Sequence, residues 1–118
     1  MNAGDMKRRT GQFALDVIKL VESLPKGKTA EILGKQLIRS GTSVGANYRA
    51  ACRAKSVADF VSKMGTVEEE ADESTYWLEL LVDSGVTQKA RVQDMLHEAD
   101  QLVAISVASI RTARRNKR

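Results

Sequence analysis

Apolar residues recur at three- and four-residue intervals along nearly the whole chain, and few stretches alternate as a strand would, so the sequence predicts an all-α protein. Four helices emerge. The first is expected from about Thr10 to Leu24, with Phe13, Val17, Leu20, Val21 and Leu24 turned inward, and the run Pro25-Lys26-Gly27 ends it. The second begins near Thr29, read as its N-cap, and continues to about Ala54 through three glycines. The third follows Ser56, whose hydroxyl can cap a helix with Asp59 three residues on, and runs to about Ser84, where Gly85 can close it in the left-handed conformation. Its seam is Val57, Phe60, Val61, Met64, Val67, Ala71, Thr75, Leu78 and Val82. The fourth spans about Thr87 to Arg114, with Val92, Met95, Ala99, Leu102, Val103, Ser106, Ile110 and Ala113 inside. Short connections between helices of this length force antiparallel neighbours, and the predicted architecture is a single-domain, antiparallel up-down-up-down four-helix bundle.

Within the second helix, 100° steps separate two stripes. Leu33, Leu37, Val44 and Ala51, edged by Ser40 and Asn47, face the core, while Lys28, Lys35, Arg39, Arg49 and Arg53 form a cationic ridge on the other side. Gly34, Gly41 and Gly45 do not make a phosphate loop, because no strand precedes them and no lysine follows the last. Their role is close helix packing or a bend. The third helix carries a second unusual face: Glu69, Glu73, Tyr76, Trp77 and Leu80 lie opposite its seam, and aromatic residues among charges are the makeup of an interface centre. Lys35, Arg39, Glu69, Glu73, Tyr76, Trp77 and Leu80 are therefore the expected oligomer interface, with Glu73 paired to a ridge cation, Arg39 or Arg49, of a neighbouring copy. Unlike patches on one subunit give head-to-tail contacts, which close into a ring. The other reading of this face is a central helix buried on both sides within one subunit.

Charge sharpens the picture. The 118 residues carry a net charge of +4, strongly segregated. Residues 1–63 hold twelve Lys/Arg and five Asp/Glu, residues 64–110 hold two and ten, and residues 111–118 hold five and none. The segments 1–9 and 111–118 read as basic tails. In an up-down-up-down bundle the start of helix one, the end of helix two, the start of helix three and the end of helix four share one pole. That pole collects Lys7, Arg8, Arg9, Arg49, Arg53, Lys55, Arg111, Arg114, Arg115, Lys117 and Arg118, the expected nucleic-acid-binding residues. Helix-dipole complementarity and a solvated tail account for part of this clustering. Aromatics are only 4% of the chain, and Tyr48 alone lies in the basic segments, so binding through backbone and shape is expected rather than base readout.

Other chemistry is excluded by what is missing. A di-iron carboxylate bundle needs two Glu-x-x-His pairs, whereas the one histidine here, His97, follows Asp94 at that spacing. No nucleophile-base pair presents itself, so no catalytic residue, metal, cofactor or small-molecule substrate is expected. The lone Cys52 is expected to be a small buried packing residue. No apolar run is long enough to span a bilayer or to act as a signal peptide, which points to a cytoplasmic protein without a membrane partner.

The blocks RSGTSVGANYRAACRA (39–54) and EEADESTYWLELL (69–81) resemble the bacterial four-helix bundle family of 23S ribosomal RNA intervening-sequence proteins over about residues 10–110. The matching features are Ser43 to Asn47, Glu73 and Trp77. The resemblance implies a small cytosolic bundle, a homopentameric ring, no catalysis, and an association with ribosomal RNA genes. More distant relatives look like accessory proteins of diversity-generating retroelements. Family members usually carry a glutamate after the residue matching Arg49, and here Ala50 stands in its place. Ser43 and Asn47, as polar residues at a packing edge, need hydrogen-bond partners, with Glu73 or a backbone carbonyl as candidates. The leading reading is a non-enzymatic, ring-forming bundle that binds RNA or another nucleic acid by its basic pole. Its rival is an oligomeric protein-protein adaptor or scaffold whose basic ends serve only solubility.

Overall fold

A computed structural model describes residues 1–116; Lys117 and Arg118 of the expected basic pole lie outside the described residues. Four helices follow one another: α1 (Ala3–Ser23), α2 (Lys28–Ala51), α3 (Val57–Asp83) and α4 (Lys89–Asn116). The bundle measures 52 × 20 × 20 Å. Consecutive helices pack along their lengths, α3 against both α2 and α4, whereas α1 and α4 approach each other closely at few points. Two side-chain contacts bridge that looser seam: Arg9 to Glu98, and Arg91 Nη2 to Ser23 Oγ at 2.7 Å.

The ends of the helices follow from local chemistry. Asn2 begins α1 with a reciprocal capping box: its Oδ1 accepts from Asp5 N at 2.9 Å, and its own N–H donates to Asp5 Oδ2 at 3.2 Å. Consequently α1 starts seven residues before the expected Thr10, and residues 3–9 are helix rather than a basic tail. Likewise α4 is continuous to Asn116, so Arg111, Arg114 and Arg115 sit on a helix. At α2 the N-cap is Gly27, whose carbonyl accepts from Glu31 N, and Thr29 falls within the first turn. Ser56 caps α3 as expected, its Oγ accepting from Asp59 N at 3.0 Å. Gly85, at φ 81°, closes α3 in a Schellman motif, with Val86 N donating to Leu81 O and Gly85 N to Val82 O.

The core runs through all four helices: Phe13, Val17 and Leu20 from α1, Leu37 and Val44 from α2, Met64, Val67 and Leu78 from α3, Val92 and Leu102 from α4. On α3 the buried face includes Ser74 and Leu81 rather than Thr75 and Val82, a shift of one residue toward α2. The shift has a partner: Ser40 Oγ and Ser74 Oγ, both fully buried, lie 2.9 Å apart and fix the register of the α2–α3 pair.

The glycines of α2 are packing positions. A Cβ on Gly34 would stand 2.9 Å from Val21 Cγ1, one on Gly41 3.0 Å from both Val17 γ-carbons, and one on Gly45 3.1 Å from Thr10 Oγ1. Spaced along one face, they let α1 lie closer to α2 than any side chain would permit.

Candidate nucleic-acid interface

The antiparallel topology brings the expected segments to one pole. Ala3 of α1, Tyr48, Ala51 and Cys52 of α2, the linker Ala54–Ser56, Val57 and Phe60 of α3 and Ala113 of α4 together line one shallow hollow of about 530 Å³. A second, of about 490 Å³, adjoins it and is lined by Met1, Phe60, Ile105, Ala108, Ser109, Thr112 and Ala113.

The cations at this end fall into two groups. Arg8 pairs with Asp5, and Arg9 makes a bidentate contact with Glu98, Nε to Oε2 at 2.6 Å and Nη2 to Oε1 at 2.8 Å. The bond to Glu98 raises the Arg9 pKa above its ordinary value. Arg9 thus serves as the bridge between α1 and α4, and its fork is occupied. By contrast Lys7, Arg49, Arg53, Lys55, Arg111, Arg114 and Arg115 are exposed and form no ion pair among the described residues. Asp59, the acid nearest in sequence to Lys55, is engaged by the Lys63 ammonium and by Lys55 N–H, which hold its carboxyl below the usual range. Seven cations from α1, α2, α4 and the α2–α3 linker therefore face solvent at one end.

Cys52 departs from the expectation of burial. It stands exposed at the C-cap of α2, one residue beyond the helix's buried last position, Ala51. Beside it the Tyr48 phenol is pushed up to about 12, mainly by burial and secondarily by the neighbouring thiol.

The outer face of α3 is partly spoken for within the chain. Arg39 reaches across from α2 to Glu70, Nη1 to Oε2 at 3.2 Å, and to Glu73 Oε1, which also accepts from Trp77 Nε1 at 3.2 Å. The Arg39–Glu73 pair expected between copies is thus an internal one, since the Ser40–Ser74 register sets the two residues opposite each other. Trp77 is half-buried and packs on the core, whereas Tyr76 is 54% exposed and meets the indole edge-on at 5.0 Å. Glu69 and Lys35 are exposed, and Leu80 is half-buried. Ser43 and Asn47 find backbone carbonyls one turn back, Ser43 Oγ to Arg39 O at 2.6 Å and Asn47 Nδ2 to Ser43 O at 2.8 Å, and neither reaches Glu73. His97 is exposed on α4. Among the described residues no helix is long and apolar enough to cross a membrane.

Sequence reasoning missed the Asn2–Asp5 cap, although the Asn-x-x-Asp spacing carries that signal. It also missed Phe60 at the pole, which spacing alone assigned to the seam of α3.

A family profile described as 23S rRNA-intervening sequence protein matches residues 5–108. The chain belongs to this family. A crystal structure of a protein of unknown function from the S23 ribosomal protein family of Bacteroides thetaiotaomicron is similar to it, with 31% identity over 88% of this chain and 96% of that one and a TM-score of 0.81. No curated protein matches the chain. The matched family span takes in α2 and α3 whole and stops within α4, so Arg111, Arg114 and Arg115 of the pole lie beyond the family match.

Proposed function

We propose that this member of the 23S rRNA-intervening sequence protein family is a non-enzymatic, ring-forming bundle of the cytoplasm that binds RNA or another nucleic acid through its basic pole. The observation that carries this reading is the gathering of Lys7, Arg49, Arg53, Lys55, Arg111, Arg114 and Arg115 at one end without acidic partners among the described residues. Unpaired exposed cations are available to phosphates, and phosphate contacts supply most of the affinity of such an interface.

Assembly is supported by a different surface. Glu69, Tyr76, Trp77 and Leu80 present an acidic-aromatic patch, and Lys35 borders a shallow hollow lined by Val21, Leu24, Ala30 and Ile38 where α1 meets α2. These unlike surfaces on one subunit suit a head-to-tail contact, and a closed ring, five-membered as the resemblance implies, follows from it. Several poles on one ring would engage a single strand with avidity.

The test replaces Arg111, Arg114, Arg115, Lys117 and Arg118 with Gln and measures RNA affinity at several salt concentrations. The replaced protein is expected to keep its helicity and oligomeric state while binding more weakly. Each lost phosphate contact flattens the slope of log affinity against log salt by about 0.7 for a single strand or 0.9 for a duplex. Unchanged affinity and slope would transfer the function to a protein-protein adaptor.

A further inference from the structure

The apolar floor of the pole is hidden in the sequence, because it combines residues far apart in the chain. Tyr48 of α2 and Phe60 of α3 line the same hollow, joined there by Val57 and Ala113, and Lys55 forms part of its rim. Both rings are only partly covered by their own chain, although both pack beside the core. Phe60 also lines the adjoining hollow, where the Ser109 and Thr112 hydroxyls stand. Partly exposed aromatic surface with cations beside it is the combination that single-stranded nucleic acids use: base faces on the aromatic, phosphates on the charges.

We propose that this hollow receives an unstacked base of single-stranded RNA, with the adjoining phosphates held by Arg53, Lys55 and Arg114. Each of these cations lines the hollow or is the chain neighbour of a lining residue. A duplex cannot use it, since its base faces are stacked within the helix and the deep groove of A-form RNA excludes side chains. The Ser56 hydroxyl in this hollow, and the Ser109 and Thr112 hydroxyls in the adjoining one, can act as donor or acceptor, so no single base is specified. Charge favours a polyanion over an apolar peptide, which would leave seven cations unsatisfied, and over a second copy meeting pole to pole, whose cations would repel them.

The proposal rests on nucleic-acid binding at the pole, and the experiment separates the two. Fluorescence anisotropy compares a labelled mixed-sequence RNA strand with the same strand annealed to its complement, for the parent protein and for Tyr48→Leu, Phe60→Leu and Arg53→Gln. The parent is expected to favour the single strand. The two aromatic replacements should each lower single-strand affinity by about 5- to 150-fold, the range of one lost base stack, with the salt slope and duplex affinity unchanged. Arg53→Gln should instead flatten the salt slope for both RNAs. Circular dichroism checks folding; if Phe60→Leu loses helicity, Tyr48→Leu and the parent's strand preference decide. A parent that binds both RNAs equally, with Tyr48→Leu unaltered, overturns the base site while leaving the basic pole as the binding surface. A parent that binds neither overturns both readings.

Discussion

Between Gln36 and Asn47 the polar side chains of α2 are engaged within the chain: Arg39 by Glu70 and Glu73, Ser40 by Ser74, Thr42, Ser43 and Asn47 by carbonyls one turn back. From Arg49 to Lys55 the same segment carries Arg49, Arg53 and Lys55 without an ion pair among the described residues, and an exposed Cys52. The backbone differs in step. In the middle, Gly41 and Gly45 draw α1 close; toward the pole Tyr48 and Phe60 stand around open hollows. A buried middle satisfied by its own residues supplies rigidity, and an end rich in unmatched charge is available to bind. Cations of one apparent ridge thus differ in their surroundings, Arg39 paired with α3 and Arg49 and Arg53 not, and the neighbouring helix rather than the ridge itself decides which.

The strongest way to break this contrast is at Trp77, which bonds Glu73 beside Arg39 in the middle region. Trp77→Ala removes a half-buried ring that packs on the core and accepts the edge contact of Tyr76, and a loss of about 2–4 kcal/mol in stability is expected. If the α3 face also holds copies together, sedimentation will show dissociation of the variant at concentrations where the parent is assembled. A parent that sediments as a monomer removes the assembly role and leaves Trp77 a purely internal residue.

Packing in the middle is tested by pairing two glycines. Gly41→Ala forces a methyl against Val17, which is itself fully buried, and should cost about 1–3 kcal/mol in urea unfolding. Gly65→Ala on α3 meets nothing within 4 Å and should stabilise by up to about 1 kcal/mol, because alanine is the better helix former. Equal effects at the two positions would mean that α1 is free to draw away from α2.

Charge gives the next contrast. Arg39→Gln leaves Glu70 and Glu73 without their cation and is expected to lower stability by about 1 kcal/mol or less, discounted for the exposure of Arg39, with RNA affinity unchanged. Arg53→Gln should do the reverse, leaving unfolding alone and weakening RNA. Identical behaviour of the two arginines would dissolve the distinction between middle and pole.

The sequence was legible where one helix face or one turn decides the outcome. Four helices, the Ser56 cap, the Gly85 stop and most of the core positions followed from periodicity and local chemistry. The meeting of the basic segments at one end followed from antiparallel connection alone. What remained illegible depends on which residues oppose each other across helices. Arg39 and Glu73 were both picked out, but their pairing inside one subunit depends on the register of α2 against α3 that Ser40 and Ser74 mark. Arg9 could not be told from Lys7 until Glu98 appeared beside it. Phe60 looked like any seam residue, because periodicity places it on an inward stripe and cannot say that the stripe opens at the pole. The Cys52 expectation failed for a simpler reason: its alanine neighbours suggest a packed site, but it falls one residue beyond the end of α2.

The smallest effect expected lies with Tyr48, at the boundary of the two regions. Its folded pKa is raised to about 12, above the ordinary phenol value near 10, chiefly by burial. The neutral phenol is therefore the form the folded chain favours, and the associated stability is intact below pH 10. As pH rises from about 10 through 12 the unfolded chain releases its proton first, and stability falls across that window. Tyr48→Phe has no proton to lose, so its alkaline unfolding curve should lack this component while the parent retains it. Ultraviolet titration of the phenol in the parent, with and without a saturating single-stranded RNA, extends the test. A base seated over the ring buries it further and should carry the titration higher still, and an unmoved titration would locate the RNA elsewhere on the pole.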